Sequence, residues 1–177
     1  MSRPLQVLLI EDSEDDALLL EIELRHAGYD PSCHRVETLE TLGSELERQK
    51  WDLVIADYRL PRFDGLAALA AVKEQGLDLP FIVVSGYITE ETAVAAMKAG
   101  AHDYVMKDNL ARLGPAVERE LREAEVRRER RHAEEALRRA YEELEQRVQE
   151  RTADLKMANA RLQAAIAERR RLEYELL

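Results

Sequence analysis

Residues 5–28 read LQVLLIEDSEDDALLLEIELRHAG, and the order of events in this stretch decides the fold. Val7 to Ile10 is a continuous apolar run, too short for a helix and suited to a strand buried on both faces. Asp12-Ser13-Glu14-Asp15 then offers N-cap chemistry to a helix carrying Ala17, Leu18, Leu20, Ile22 and Leu24, which Gly28 stops. The unit is strand, acidic loop, helix.

Working outward, the same unit recurs. Residues 32–36 form a weaker second strand and Leu39 to Lys50 a second helix. Leu53 to Asp57 is a third strand, broken at Leu60-Pro61, and a helix follows from about Gly65 to Glu74 with its stop at Gly76. Pro80 precedes a fourth strand, Phe81 to Ser85; Glu90 to Ala99 is an Ala-rich helix ending at Gly100, and Asp103 to Met106 is the fifth strand. Five strands alternating with helices predict an α/β fold, a doubly wound five-stranded parallel sheet of flavodoxin-like (βα)5 type. In such a sheet, groups at the carboxyl ends of different strands meet in one crevice.

Composition divides the chain. All seven glycines and all five prolines lie at or before Pro115, whereas residues 116–177 contain neither. Residues 1–115 carry 21 acidic and 11 basic side chains, and residues 116–177 carry 15 of each, so the net charge of −10 belongs to the first part. The first part is long enough for one core of its own, and the second has the breaker-free, balanced composition of a long helix. An acidic domain argues against nucleic-acid binding, because a phosphate-backbone binder displays a basic face. Arg127, Arg128, Arg130 and Arg131 are interleaved with glutamates and read as a solvated helix face. Cys33 is the only cysteine, which excludes an intrachain disulfide and a cysteine metal cluster. The sequence shows no signal peptide and no membrane-spanning run, so a cytoplasmic location and no membrane association are expected.

The strand ends carry the chemistry. Glu11-Asp12, Asp57, Ser85 and Lys107 each close a short apolar run. Taken singly, Glu11 and Asp12 read as turn or capping residues. Together, three carboxylates in one crevice repel one another unless a cation or shared proton neutralises them, and Mg²⁺ suits such hard oxygen donors. Lys107 would offer a point charge and Ser85 a hydroxyl to an incoming phosphoryl group, which leaves Asp57 as the nucleophile forming an aspartyl phosphate.

The segments LLIEDSEDDA, DLVIADYRLPRFDGLAAL, PFIVVSGY and GAHDYVMKD resemble the receiver domain of response regulators in two-component signalling. The resemblance implies Asp57 as phosphoacceptor, Asp12 as a direct metal ligand with Glu11 as its partner, and the Arg59 backbone carbonyl as a further ligand of Mg²⁺. It also implies Lys107 as the phosphate-binding lysine and Ser85 and Tyr104 as the switch pair, although Tyr104 reads equally as a space-filling strand-edge aromatic. A sensor histidine kinase or phosphotransfer protein would be the phosphodonor. The protein would be no turnover enzyme, at most phosphorylating itself from small donors and dephosphorylating itself. Two departures stand out: Asp108 follows Lys107 where the family usually has proline, which puts that loop's shape in question, and Ser85 replaces the commoner threonine. By the same resemblance Arg59 and Tyr87 flank the path of hydrolytic water and would set the phosphoryl lifetime.

Other chemistries fit less well. The four histidines share no ligand spacing, and the HAEEALRR around His132 lacks the proline-bearing motif of a kinase dimerisation helix. Asp57-Tyr58-Arg59 lacks the Asp-x-Asp pattern of dehalogenase-like phosphatases. A constitutive dimeric scaffold with a vestigial site is the competing reading, and the full set of charges weighs against it.

In the second part Leu137, Tyr141, Leu144, Val148, Leu155, Ala158, Leu162, Ala165, Leu172 and Leu176 keep one alternating four-three spacing, the seam of a coiled coil, with Arg151 and Arg169 as interruptions. Val117, Leu121 and Ala124 lie in a frame displaced by one residue, with the arginine-rich segment between. LEQRVQERTADLKMANARLQAAIAERRRLE resembles the signalling helices that precede PAS or histidine-kinase modules. The reading is therefore a receiver over residues 1–125 and, over 126–177, a coiled-coil signalling helix continuous with the last receiver helix and pairing as a homodimer. The heptads run to the last residue, leaving open whether an output lies beyond or the coiled coil is the output.

Overall fold

The structure is a computed structural model that describes residues 2–86 and 89–175, with side chains to residue 172. Its elements are β1 (Arg3–Ile10), α1 (Glu14–His26), β2 (Tyr29–Val36), α2 (Leu39–Arg48), β3 (Leu53–Asp57), α3 (Gly65–Glu74), β4 (Phe81–Ser85), α4 (Glu90–Ala99), β5 (Asp103–Met106), a 3-10 helix (Lys107–Arg112) and α5 (Leu113–Glu175). The strands form one sheet in the order β2-β1-β3-β4-β5, with all four pairings parallel. The expected doubly wound fold is the observed one. Strand order reverses between β1 and β3, so the crevice at their carboxyl ends is where such a sheet binds its ligand.

Two apolar layers explain the continuous hydrophobic runs. Side chains alternate along a strand. Leu8 and Ile10 of β1 join Val54, Ala56 and Val83 in a core covered by α2, α3 and α4 through Leu42, Leu69 and Ala96. Val7 and Leu9 join Ile55, Ile82, Val84 and Val105 in a second core covered by α1 and α5 through Leu20, Leu24, Leu113 and Val117. With both faces buried, every residue of β3 and β4 is excluded from water. Leu24, Leu42 and Leu113 are wholly buried, and truncating any one to Ala costs about 2–5 kcal/mol.

Helix starts follow the polar punctuation. Ser13, Thr38, Asp64 and Thr89 each accept a backbone N–H three residues on, and Thr38 with Thr41 forms a reciprocal capping box. The second strand is longer than the expected 32–36, beginning at Tyr29 and running through Pro31. Proline is tolerated there because β2 is an edge strand, where a missing N–H need not interrupt a ladder on both sides. After Lys107 the chain turns into the 3-10 helix, with no cis peptide bond among the described residues. Cys33 is half-buried, and burial pushes its thiol up to about 12, which makes it an unreactive neutral group.

Contacts divide the chain into two units, Met1–Arg127 and Arg128–Leu177. Within the first, α5 is anchored by ion pairs: Arg119 reaches Asp103 of β5 at 2.5 Å, and Arg127 reaches Asp78, in the loop before β4, at 3.2 Å. In the second, Leu137, Tyr141, Leu144, Val148, Leu155, Leu162 and Leu172 are all more than half exposed, an apolar stripe without a covering layer. Leu176 lies outside the described residues.

His102 closes β4 and β5 at their starts. Its backbone N–H donates to the Phe81 carbonyl at 2.9 Å, while the Phe81 N–H donates to its ring Nδ1 at 3.1 Å. The ring must therefore be neutral at Nδ1. Burial, with Arg127 3.3 Å from Nε2, holds the imidazole below its ordinary 6.5, against the opposing pull of Glu120 and Asp78. The unfolded chain then takes up a proton near pH 6.5 before the folded one does, so this contribution is complete above that pH and is lost as pH falls through the folded value. His102→Asn, which keeps an acceptor near Nδ1, is expected to reduce the loss of stability between pH 7 and 5, checked by urea unfolding of both proteins across that range.

Candidate functional site

The site is built at the carboxyl edge of β1, β3, β4 and β5. Glu11 follows β1 directly and is 1% exposed; Asp57 ends β3 at 8%. The loop between them and α1 is held from both sides. Ser13 N–H donates to Glu11 Oε1 at 3.1 Å, and the Arg35 guanidinium, at the end of β2, donates to the carbonyls of Glu11 and Asp12 at 3.2 Å each. Asp57 is fixed by its own loop: Arg59 N–H donates to Asp57 Oδ1 at 3.0 Å, and Gly65 N–H donates to the Tyr58 carbonyl. Gly65 has no room for a side chain, since a Cβ there would lie 2.9 Å from the Asp57 carbonyl oxygen. Helix α3 thus begins against the backbone of the residue it positions.

One carboxylate oxygen each from Glu11, Asp12 and Asp57 falls within 4.8 Å of the others. An all-oxygen set of this charge suits a hard divalent cation. Lys107, the first residue after β5, places Nζ 2.8 Å from Glu11 Oε2, 2.6 Å from Asp57 Oδ2 and 2.5 Å from Asp16 Oδ2. The shifts at this ion pair pull in different senses. Burial pushes the Glu11 carboxyl above its ordinary range, despite Lys107 and Ser13. Burial also pulls the Lys107 ammonium down, but the hydrogen bonds it donates to three carboxylates outweigh it and hold the group above its ordinary range. We read the pair as charged, because Glu11 accepts from both Ser13 and Lys107.

Ser85 is the buried last residue of β4, in register with Met106, the neighbour of Lys107. Tyr104 is half-buried and lines an open groove with Glu90, Ala93, Val94 and Met97 of α4. Arg59 is exposed and meets Asp57 through its backbone N–H, and Tyr87 lies outside the described residues. The structure thus gathers Glu11, Asp12, Asp57 and Lys107 into direct contact or near-contact, with Ser85 on the adjacent strand end and Tyr104 one strand pair away. Two contributors were not legible in sequence. Asp16 sits in the first turn of α1, where an acid is expected for the helix alone, and Arg35 ends a strand the sequence marks only weakly.

Comparison with known proteins identifies the family. The family described as "Response regulator receiver domain" matches residues 7–118, more than half of the chain, and the chain belongs to that family. It is similar to the regulatory protein AtoC of Escherichia coli K12, 30% identical over 134 residues covering 75% of this chain and 28% of AtoC. It is also similar to the nitrogen assimilation regulatory protein NtrX of Azorhizobium caulinodans, 32% identical over 126 residues covering 70% of this chain and 27% of NtrX. The chain therefore spans about a quarter of the length of these relatives. Among solved structures, the signal receiver domain of a LuxO repressor protein from Vibrio parahaemolyticus superposes with a TM-score of 0.62 at 29% identity, covering 70% of this chain and 95% of that one. The chain is a receiver domain of two-component signalling followed by a long helix, and among the described residues no helix is long and apolar enough to cross a membrane.

Without a cation, the three carboxylates are a source of strain. In metal-free buffer Asp12→Asn is expected to raise the thermal midpoint by a few degrees, about 1 kcal/mol, and millimolar Mg²⁺ to raise the midpoint of the wild type but not of the variant. Thermal melts with and without chelator check both.

Proposed function

We propose that Asp57 accepts a phosphoryl group in the presence of Mg²⁺ and that the consequence is relayed through a dimeric coiled coil. The observation that carries the reading is the meeting of Lys107 Nζ with Asp57 Oδ2 at 2.6 Å beside the Glu11-Asp12 pair. An Asp57 oxygen attacks the phosphorus of the donor; the new O–P bond forms as the bond from phosphorus to the donor's leaving atom breaks, and that atom departs with the electron pair. The Arg59 N–H orients the Asp57 carboxylate through its other oxygen, and Lys107 holds the charge that develops on the phosphoryl oxygens. Mg²⁺, held by Glu11, Asp12, Asp57 and the Arg59 carbonyl, would supply compensating positive charge to the same oxygens. The donor is a sensor histidine kinase or a phosphotransfer protein, as for response regulators in general, and a small phosphodonor can stand in for it.

On this reading the Ser85 hydroxyl then meets the phosphoryl group, Tyr104 follows it inward, and the α4, β5 and α5 side of the receiver changes. Arg59, two residues beyond Asp57, limits the approach of water to the acyl phosphate. The domains are a receiver over residues 1–125 and a signalling helix over 126–177. The exposed Leu137-to-Leu172 stripe supports pairing with a second copy, since a helix with an apolar seam gains stability by burying it.

Incubation with acetyl phosphate and Mg²⁺ is expected to add one phosphoryl group by intact-mass measurement, with none on Asp57→Asn and little on Lys107→Ala. Undiminished labelling of Asp57→Asn would defeat the assignment. For the helix, light scattering is expected to give twice the chain mass of 20.3 kDa, falling to the monomer in Leu144→Lys with Leu155→Lys. A monomeric wild type at micromolar concentration would exclude the dimer.

A further inference from the structure

An ammonium has three N–H donors, and Lys107 has already committed all of them, to Glu11, Asp57 and Asp16. A phosphoryl oxygen arriving at Asp57 can gain Lys107 only if a carboxylate leaves. The three differ in what leaving would cost. The Glu11 side chain is 1% exposed and tied to Ser13, so stripping its counter-charge would strand a buried anion. Asp57 is the group that the phosphoryl joins. The Asp16 side chain is 35% exposed, and water can solvate it on release.

The helix makes no competing demand on the Asp16 carboxylate. An acid at the third position after a serine cap ordinarily turns back to the cap residue's N–H. Here the Ser13 N–H is taken by Glu11 Oε1, while the Ser13 hydroxyl accepts the Asp16 N–H at 3.2 Å. Backbone capping is complete without the Asp16 side chain, which bridges from the first turn of α1 to the start of the 3-10 helix. We propose that Asp16 is the resting occupant of the Lys107 donor that a phosphoryl oxygen takes, a competitor that must be displaced before the phosphoryl group is fully held. The proposal rests on Asp57 as phosphoacceptor.

Two effects follow with the same sign. While Asp16 holds Lys107, a donor is withheld from the incoming phosphoryl group. Once displaced, its carboxylate remains a negative charge beside the phosphoryl oxygens, and its return to Lys107 favours their loss. Both effects weight the receiver toward the unphosphorylated state.

The test compares wild type, Asp16→Asn and Asp16→Ser, each keeping the Ser13 cap, in labelling by acetyl phosphate with Mg²⁺. Removal of one partly exposed charge contact is expected to raise the labelling rate roughly two- to fivefold. The signal of the Lys107 ammonium in ¹H–¹⁵N spectra, recorded without phosphodonor, should exchange faster with water in both variants, a change that a purely structural role for Asp16 would not produce. Wild-type labelling at Asp57 with unchanged rates in both variants overturns this inference alone, as does a rate gain without any change at Lys107. No labelling of the wild type overturns it together with the reading of Asp57.

Discussion

Everything at the active edge of this receiver depends on one ammonium placed among more carboxylates than it can neutralise. Lys107 faces Glu11, Asp57 and Asp16, with Asp12 close by. At separations of no more than 4.8 Å and an effective dielectric near 20, each pair of like charges costs at least about 3 kcal/mol before solvent screens it. The fold tolerates this because the carboxylates sit on backbone that has no alternative position. Glu11 and Asp57 close two central strands, α3 is seated on the Asp57 carbonyl through Gly65, and Arg35 grips the two carbonyls of the acidic pair. A cation bound among these carboxylates would change the charge balance directly.

The same economy explains how α5 serves two units. Its first turns are core residues, with Leu113, Ala116 and Val117 under the sheet, and its polar anchors Arg119 and Arg127 reach Asp103 and Asp78. Beyond Arg127 the sequence offers exposed pairs such as Arg130 with Glu134 and Arg138 with Glu142, which contribute a few tenths of a kcal/mol each. Such pairs keep a helix soluble without giving it a tertiary partner. The apolar seam is what remains to be satisfied, and only another surface can do so.

Much of the fold was legible because each local signal agreed with the next. Val7 to Ile10, Leu53 to Asp57 and Phe81 to Ser85 are short apolar runs bounded by polar caps, and a parallel sheet covered on both faces is the arrangement that buries such runs completely. The sequence marks the second strand only over residues 32–36, whereas the edge position of β2 lets it begin at Tyr29 and run through Pro31. Asp16 was hidden for a different reason. An acid in the first turn is already explained by the helix, so nothing in the sequence marks it as a partner of a lysine 91 residues away.

The sequence by itself determined which groups stand at the strand ends, because strand length, capping residues and the apolar period leave Glu11, Asp57, Ser85 and Lys107 no other place. It also made a long helix the expectation after Pro115, since no glycine or proline interrupts the chain there, and α5 runs on to Glu175. Only the tertiary structure decided how those groups share charge. Hydrogen-bond partnership depends on ångström distances between strands and helices remote in sequence, and it is packing that puts Asp16 rather than water on the third donor of Lys107 and sets Arg35 on the backbone behind the acidic pair.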